Sequence, residues 1–372
     1  LSDLTNRTTS AVYSVQEASS VAGEQWDSLV TASPGGGHAL QSSTWGEFKR
    51  DRGWEPLRLT LQKGGEVVGT AQFLLYDTRP VPGRLMYCPK GPWIDWDDPQ
   101  AIEAFFDGVR RIALDNNVHT VKIEPEASRH ESEPKSTLER LGFRHARYDL
   151  NFADTIVMDL SPTEDELMAG MTGKRGKTTR YNIRSAARNG VEVYRPQDFE
   201  WAFGTLWGWM QDLAENKEGF HLIRPREYLR EVTRRMWDAD QGRFFAAAHE
   251  GEPISIAYFF DLGEKLWYMY SGSAPYKQNL NANHLLQWEA IRWARERGIT
   301  YYDMVSVPPP GQRDESHPAY GVYKFKKGFG GDILEFLGCM DLPVKPRLAE
   351  AWRRAEPLYY RAYSKAKGNI FY

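Results

Sequence analysis

Ile254-Ser255-Ile256-Ala257-Tyr258-Phe259-Phe260 is an apolar run of strand length, too short to cross a bilayer. Outward from it, residues 244–250 and 253–262 read as two strands joined at Glu250-Gly251, a hairpin signal, and residues 265–271 as a third. Residues 283–297 line up Leu285, Trp288, Ile291, Trp293 and Ala294 along one side, which predicts a helix. Gly298 ends it, and residues 300–305 return as a strand. The first half carries the same order. Strands at 56–62 and 66–76 flank Lys63-Gly64-Gly65, a strand follows at 84–89, a helix at 99–116 and a strand at 118–123. Two tandem α/β units with mixed sheets flanked by helices are therefore expected.

Residues 155–160 alternate as a strand, and Ser161-Pro162-Thr163-Glu164 is a helix start, so the seam is read near residue 160. That gives a first unit over 1–160 and a second over 161–340, with a helix at 345–362 after it. Ser43 or Thr44 caps a short helix carrying Trp45, Phe48 and Lys49. The 372 residues carry a net charge of −3, so any contact with a polyanion must use a local patch. Thirteen tryptophans and nineteen tyrosines exceed what a core requires, and some are expected to line a groove. Cys88 and Cys339 form no disulfide framework or metal spacing, and no basic-apolar leader is seen, which suits a cytoplasmic protein. The histidines show no His-x-x-x-His pair, Gly-x-Ser-x-Gly is absent, and no metal or cofactor is expected. Gly170 and Gly176-Lys177-Thr178 stand one residue too far apart for a phosphate-binding P-loop.

Three constellations carry chemistry. Tyr320-Gly321-Val322-Tyr323-Lys324-Phe325-Lys326-Lys327-Gly328-Phe329-Gly330-Gly331 sets lysines among aromatics; Lys326 beside another cation suits anionic oxygen, or else the stretch is a hairpin end guarding a sheet edge. Lys174, Arg175, Lys177, Arg180, Arg184 and Arg188 fall in a stretch without acids, and the last three repeat every four residues as one helical stripe. This is the form of a polyanion contact, the alternative being a solvated helix face. Arg224 and Tyr228 share a face if Pro225 opens a helix, and suit a phosphate or a structural ion pair.

Phe325-Lys326 followed by Gly328-Phe329-Gly330, together with residues 180–191, resembles the Fem family of transferases, which add amino acids from aminoacyl-tRNA to peptidoglycan precursors. The strand order resembles the acetyltransferase fold, two copies of which make up the Fem architecture. Between Phe199 and Gly242 the glycines 204, 208 and 219 and Pro225 leave no room for a coiled-coil arm, so the resemblance is to the armless FemX type. Residues 278–283 lack the glycines of an acetyl-CoA turn, and acetyl-CoA use is not expected.

The resemblance implies that residues 341–372 complete the first unit. It implies Lys326, backed by Phe325, as the electrostatic catalytic group, and Lys49, Arg224, Tyr228 and either Tyr268 or Tyr270 as contacts to a UDP- or lipid-linked muramyl pentapeptide. Glu124 stands where the family has an acid before proline, and the 174–188 patch with Lys324 or Lys327 would meet the tRNA. The base is left between Glu124, Asp303 and the substrates themselves. A monomer is expected, in contact at most peripherally with the inner membrane surface. The other readings are a tRNA-dependent ligase with a natural-product acceptor, and a non-catalytic envelope or RNA-binding protein.

Overall fold

The computed structural model describes residues 13–171, 173–216, 222 and 224–372, and no side chains for 173–177. The first-half elements are β1 (Tyr13–Glu17), α1 (Gly23–Ala32), α2 (Ser43–Arg50), β2 (Glu55–Lys63), β3 (Glu66–Asp77), β4 (Arg84–Cys88), α3 (Pro99–Asp115), β5 (Val118–Ile123), α4 (Ser132–Arg140) and β6 (Arg144–His145). Next come β7 (Asp154–Asp159), α5 (Glu164–Gly170), α6 (Gly173–Arg188), β8 (Val191–Tyr194), α7 (Phe199–Asn216) and α8 (Arg226–Asp238). The chain continues through β9 (Gly242–His249), β10 (Glu252–Leu262), β11 (Lys265–Ser273), α9 (Ala282–Glu296), β12 (Tyr301–Asp303) and α10 (Tyr320–Lys327). It closes with β13 (Asp332–Glu335), β14 (Met340–Pro343) and α11 (Pro346–Lys367).

One sheet runs β1-β2-β3-β4-β5-β14-β6 and the other β13-β7-β12-β11-β10-β9-β8. In each, a single parallel pair spans the helix crossover, β4 with β5 through α3 and β11 with β12 through α9; the other pairings are antiparallel. Hydrogen bonding puts β7 in the second sheet, so the chain changes sheet ahead of Asp154. The helix-start signal near residue 160 marks the end of β7 and not that crossing. β14 returns to the first sheet beside β5, the place that β7 takes beside β12 in the second.

Local chemistry sets the ends. Asp98 caps α3 by accepting from the amides of Gln100 and Ala101, with Pro99 opening the helix. Ser42 caps α2, ahead of the expected Ser43 or Thr44, because Ser43 gives both its amide and its hydroxyl to Asp27. Thr163 makes the capping box of α5 with Glu166, while Ser161 is held by Asp159. α7 runs through Gly204 and Gly208: the cost of about 1 kcal/mol each is offset by burial of Phe199, Phe203, Leu206 and Met210. Among the described residues α7 and α8 form no coiled-coil arm.

Helices α3 and α4 cover one face of the first sheet, and α11 with residues 371–372 covers the other. Helices α6, α9 and α10 cover one face of the second sheet. On its other face α7 and α8 share a core with Trp26, Val30, Leu40 and Phe48 of the first half, so the two halves are joined by apolar burial. Lys122 of β5 is buried and donates to Asp341 of β14 at 2.6 Å, with Glu356 of α11 at 3.5 Å. Burial opposes its charge, but Cys339, Asp341 and Glu356 hold its pKa above the ordinary lysine value. Lys122→Met should cost about 3–5 kcal/mol by leaving two buried carboxylates without a cation, read as a lower urea midpoint.

Candidate active site

Lys326 lies in α10 and is 6% exposed. Gly328 lets that helix close on α6, since a Cβ there would stand 2.2 Å from Thr179 Oγ1. The Lys326 ammonium donates to the carbonyls of Val305 and Ser306, the latter at 3.0 Å, and lies 5.9 Å from the Tyr268 ring centroid. Val305 and Ser306 both have positive φ, 51° and 56°, and a β-branched residue is rare there. Such backbone costs about 1–2 kcal/mol per residue and persists only where the surroundings enforce it. Asp303 enforces it: its Oδ1 accepts from the Val305 amide at 2.6 Å and from the Thr155 hydroxyl. Burial raises the Asp303 carboxyl pKa. Burial brings the Lys326 pKa down to about 8, and Asp303 resists that fall. The result is a water-poor ammonium, charged at neutral pH and aimed by oxygen ligands.

A second cation group lies where α2, α8 and residues 369–372 meet. Lys49, on the last turn of α2, is 2% exposed, its ammonium 5.1 Å from the Trp54 ring centroid and 5.9 Å from that of Trp45. No hydrogen bond or ion pair reaches it among the described residues. Burial, then Arg224 and Arg52, push its pKa well down. Arg224 packs 4.4 Å from the Tyr228 ring centroid and donates to Asn369 Oδ1, the Ile370 carbonyl and a Tyr372 oxygen. The Tyr228 hydroxyl is buried without a hydrogen-bond partner among the described residues. Arg52 is tied to Glu231 at 2.6 Å. The cluster holds more positive than negative charge, which favours an anionic ligand.

Tyr268 and Tyr270 fall on opposite faces of β11. Tyr270 pairs with Tyr258 and Tyr268 with Phe259, so Met269 is the extra residue of a β-bulge that reverses the alternation. Tyr270 joins the core containing Tyr228, and its pKa, raised by burial and Tyr228, is opposed by Arg224. Tyr268 faces Lys326.

A FemAB family model matches residues 23–234 and 230–356. The chain belongs to the FemAB family. It is 22% identical to lipid II:glycine glycyltransferase of Staphylococcus aureus, over 89% of this chain and 96% of that protein. Its fold matches a crystal structure of FemX with a TM-score of 0.79 at 21% identity, covering 91% of this chain and all of that one. It matches the structure of L-PGS from Bacillus licheniformis with a TM-score of 0.52 at 13% identity, over 90% and 96% of the two chains.

In this FemAB chain the remaining expected site residues are dispersed. Glu124 is buried and accepts from the Tyr87 hydroxyl, the Lys90 amide and both nitrogens of Asn151, so it ties β4 and β5 to the crossing into β7. Phe325 packs on His284 and Phe329, with centroids 4.9 and 5.3 Å away. Arg180 caps α5 through the carbonyls of Met168 and Ala169, whereas Arg184 and Arg188 are exposed on α6. Lys324 is exposed, and Lys327 binds the Gly331 carbonyl within its own turn. The side chains of Lys174, Arg175 and Lys177 lie outside the described residues.

Sequence reasoning missed a charged cluster across the seam. Glu126, its side chain 10% exposed, stands 3.7 Å from Lys90. Lys265 donates to the Gly37 carbonyl at 3.0 Å and lies over the Trp93 and Tyr301 rings. Burial raises the Glu126 carboxyl pKa, while Lys90 and Lys265 oppose the rise. His38, its pKa pushed well down by burial and by Lys90 and Lys265, packs on Trp267. The available signal was charge inside strand patterns, as at Lys265 and in Glu124-Pro125-Glu126.

Because the Lys326 pKa is lower folded (about 8) than its ordinary 10.5, the unfolded chain holds more protons between those values. Its burial therefore weakens the fold below about pH 8, and that penalty is relieved as pH rises toward 10.5. Lys326→Met should be at least as stable as the parent at pH 7, with the gap narrowing at alkaline pH, as measured by denaturant melts.

Proposed function

We propose that this protein transfers an amino acid from aminoacyl-tRNA to the side-chain amine of the third residue of a muramyl pentapeptide, lipid- or UDP-linked. The supporting observation is the Lys326 ammonium, buried at the end of β12 and held charged by Asp303, in a chain of the FemAB family. The acceptor amine attacks the ester carbonyl, a C–N bond forms, and the ester C–O bond breaks to release the ribose hydroxyl. Negative charge collects on the carbonyl oxygen, where an aimed ammonium in a low-dielectric site is worth most. Asp303, committed through Oδ1 to Thr155 and the Val305 amide, positions Lys326. Glu124 is occupied by its hydrogen bonds, so the amine's proton is best passed to the leaving ribose oxygen by the substrates themselves.

Lys49, Arg224, Tyr228 and Tyr270 would hold the diphosphate end of the acceptor, and Arg224 would exchange its carbonyl partners for phosphate oxygens. The exposed Arg184, Arg188 and Lys324 would meet the tRNA. The test is a transfer assay with total charged tRNA, one labelled amino acid at a time, onto UDP-linked and lipid-linked pentapeptide, with an RNase-treated control. RNase-sensitive label on the pentapeptide supports the reading, and none with any amino acid overturns it.

Lys326→Met should lower kcat by roughly a hundredfold or more. The protonated form is the active one, so kcat should fall as pH rises through about 8. Asp303→Asn should move that fall to lower pH, because the Asp303 charge is what resists the loss of the proton. Lys49→Met should instead raise KM for the acceptor with a smaller change in kcat.

A further inference from the structure

Helix α11 buries Ala349, Trp352 and Glu356 against the first sheet, and among the described residues nothing covers its outward face. Arg347, Ala351, Arg354, Leu358, Arg361 and Lys365 are all exposed, and their spacing of three, four and seven residues sets them on one stripe. Leu358 is 68% exposed and sits in the middle of the stripe, and the Arg354 side chain is 80% exposed. The flanking carboxylate is Glu350, shared between Arg354 at 3.0 Å and Arg144 at 3.5 Å; Glu356 is turned inward to Lys122. The stripe runs roughly 27 Å along the helix at 1.5 Å per residue. On a chain of net charge −3 this is a local positive face. The helix ends at Gly368, and the residues after it supply the oxygens that bind Arg224, so the stripe is continuous in the chain with the proposed acceptor cluster.

We propose that the outward face of α11 docks this protein on an anionic phospholipid bilayer. Lys and Arg side chains laid along one line meet lipid headgroups, and an exposed leucine between them enters the headgroup boundary as a shallow anchor. Among the described residues no helix is long and apolar enough to cross a membrane, so the contact is lateral. A single-stranded RNA surface would set aromatic faces among its cations for base stacking, whereas this stripe sets alanine and leucine there. The placement beside Arg224 deepens the reading of a lipid-linked acceptor and rests on that reading for its role in transfer: a docked helix would hold the acceptor cluster at the level where a membrane-anchored diphosphate lies.

The experiment is flotation of the full chain with vesicles of equal parts phosphatidylglycerol and phosphatidylcholine, and with phosphatidylcholine alone, at about 0.1 M salt, where surface charge is only partly screened. The parent should float with the anionic vesicles alone and be released by added salt. Arg354→Glu, Arg361→Glu and Lys365→Glu together should lower the partition at least about a hundredfold, from the roughly fivefold contribution of each basic residue near an anionic surface. Leu358→Asp alone, at a solvent-facing position, should lower it several-fold and serves if the triple variant fails to fold. In transfer assays the triple variant should match the parent on the soluble UDP-linked acceptor and fall behind it on the lipid-linked acceptor in vesicles. Absence of anionic-lipid binding by the parent overturns the proposal. So does equal partition of parent and variants, or loss of tRNA affinity in the triple variant with vesicle binding intact. Flotation decides the docking surface by itself, so failure of transfer with every acceptor would tell against the transferase reading alone.

Discussion

A lysine ammonium kept out of water and still charged near neutral pH is the constraint to which the second half of the molecule is fitted. A buried charge persists only when oxygen ligands replace its hydration. For Lys326 those ligands are the carbonyls of Val305 and Ser306, and both residues must enter left-handed backbone to present them. Asp303 at the end of β12 and Thr155 on β7 hold that turn, so two neighbouring strands are committed to one side chain. The contact of Gly328 with Thr179 completes the arrangement by letting α10 lie close on α6. Strain and buried charge both weaken the fold here, the pattern expected where a site is held ready for its ligand.

The same logic explains why the halves are not separable in chemistry. Lys49 comes from the first half and Arg224, Tyr228 and Tyr270 from the second, and they meet because Phe48 and Trp26 share a core with α7 and α8. Apolar burial across the seam holds together cations that repel one another. The charged cluster of Lys90, Glu126, Lys265 and His38 follows the same seam, but there each lysine already has an oxygen partner, Glu126 for Lys90 and the Gly37 carbonyl for Lys265. A buried ammonium that no oxygen reaches among the described residues, as at Lys49, distinguishes a site awaiting an anion from an internal joint.

The hairpins of β2–β3 and β9–β10, the crossover helices α3 and α9, and the strands β5 and β12 were legible because periodicity and turn residues are local signals. The strands β1, β8, β13 and β14 are short and were missed, since what defines them is the neighbour they pair with. Lys326 and the pair Arg224 and Tyr228 could be named from a motif and a spacing. Asp303 was visible only as a possible base, because its bonds to Thr155 and the Val305 amide depend on pairing between strands far apart in the chain.

The sequence by itself determined the strand-strand-strand-helix-strand order repeated in each half and the lack of room for an arm, which follow from contacts between near neighbours in the chain, while motif and spacing singled out Lys326, Arg224 and Tyr228. Tertiary structure alone decided which tyrosine of β11 faces which cluster, since a bulge between two strands reverses an alternation that the residues of β11 cannot report. It also decided that Glu124 is a tie and Arg180 a helix cap, and that Lys90, Glu126, Lys265 and His38 are neighbours. Burial, and with it the pKa of Lys326, is a property of everything packed around a group, and no stretch of sequence contains it.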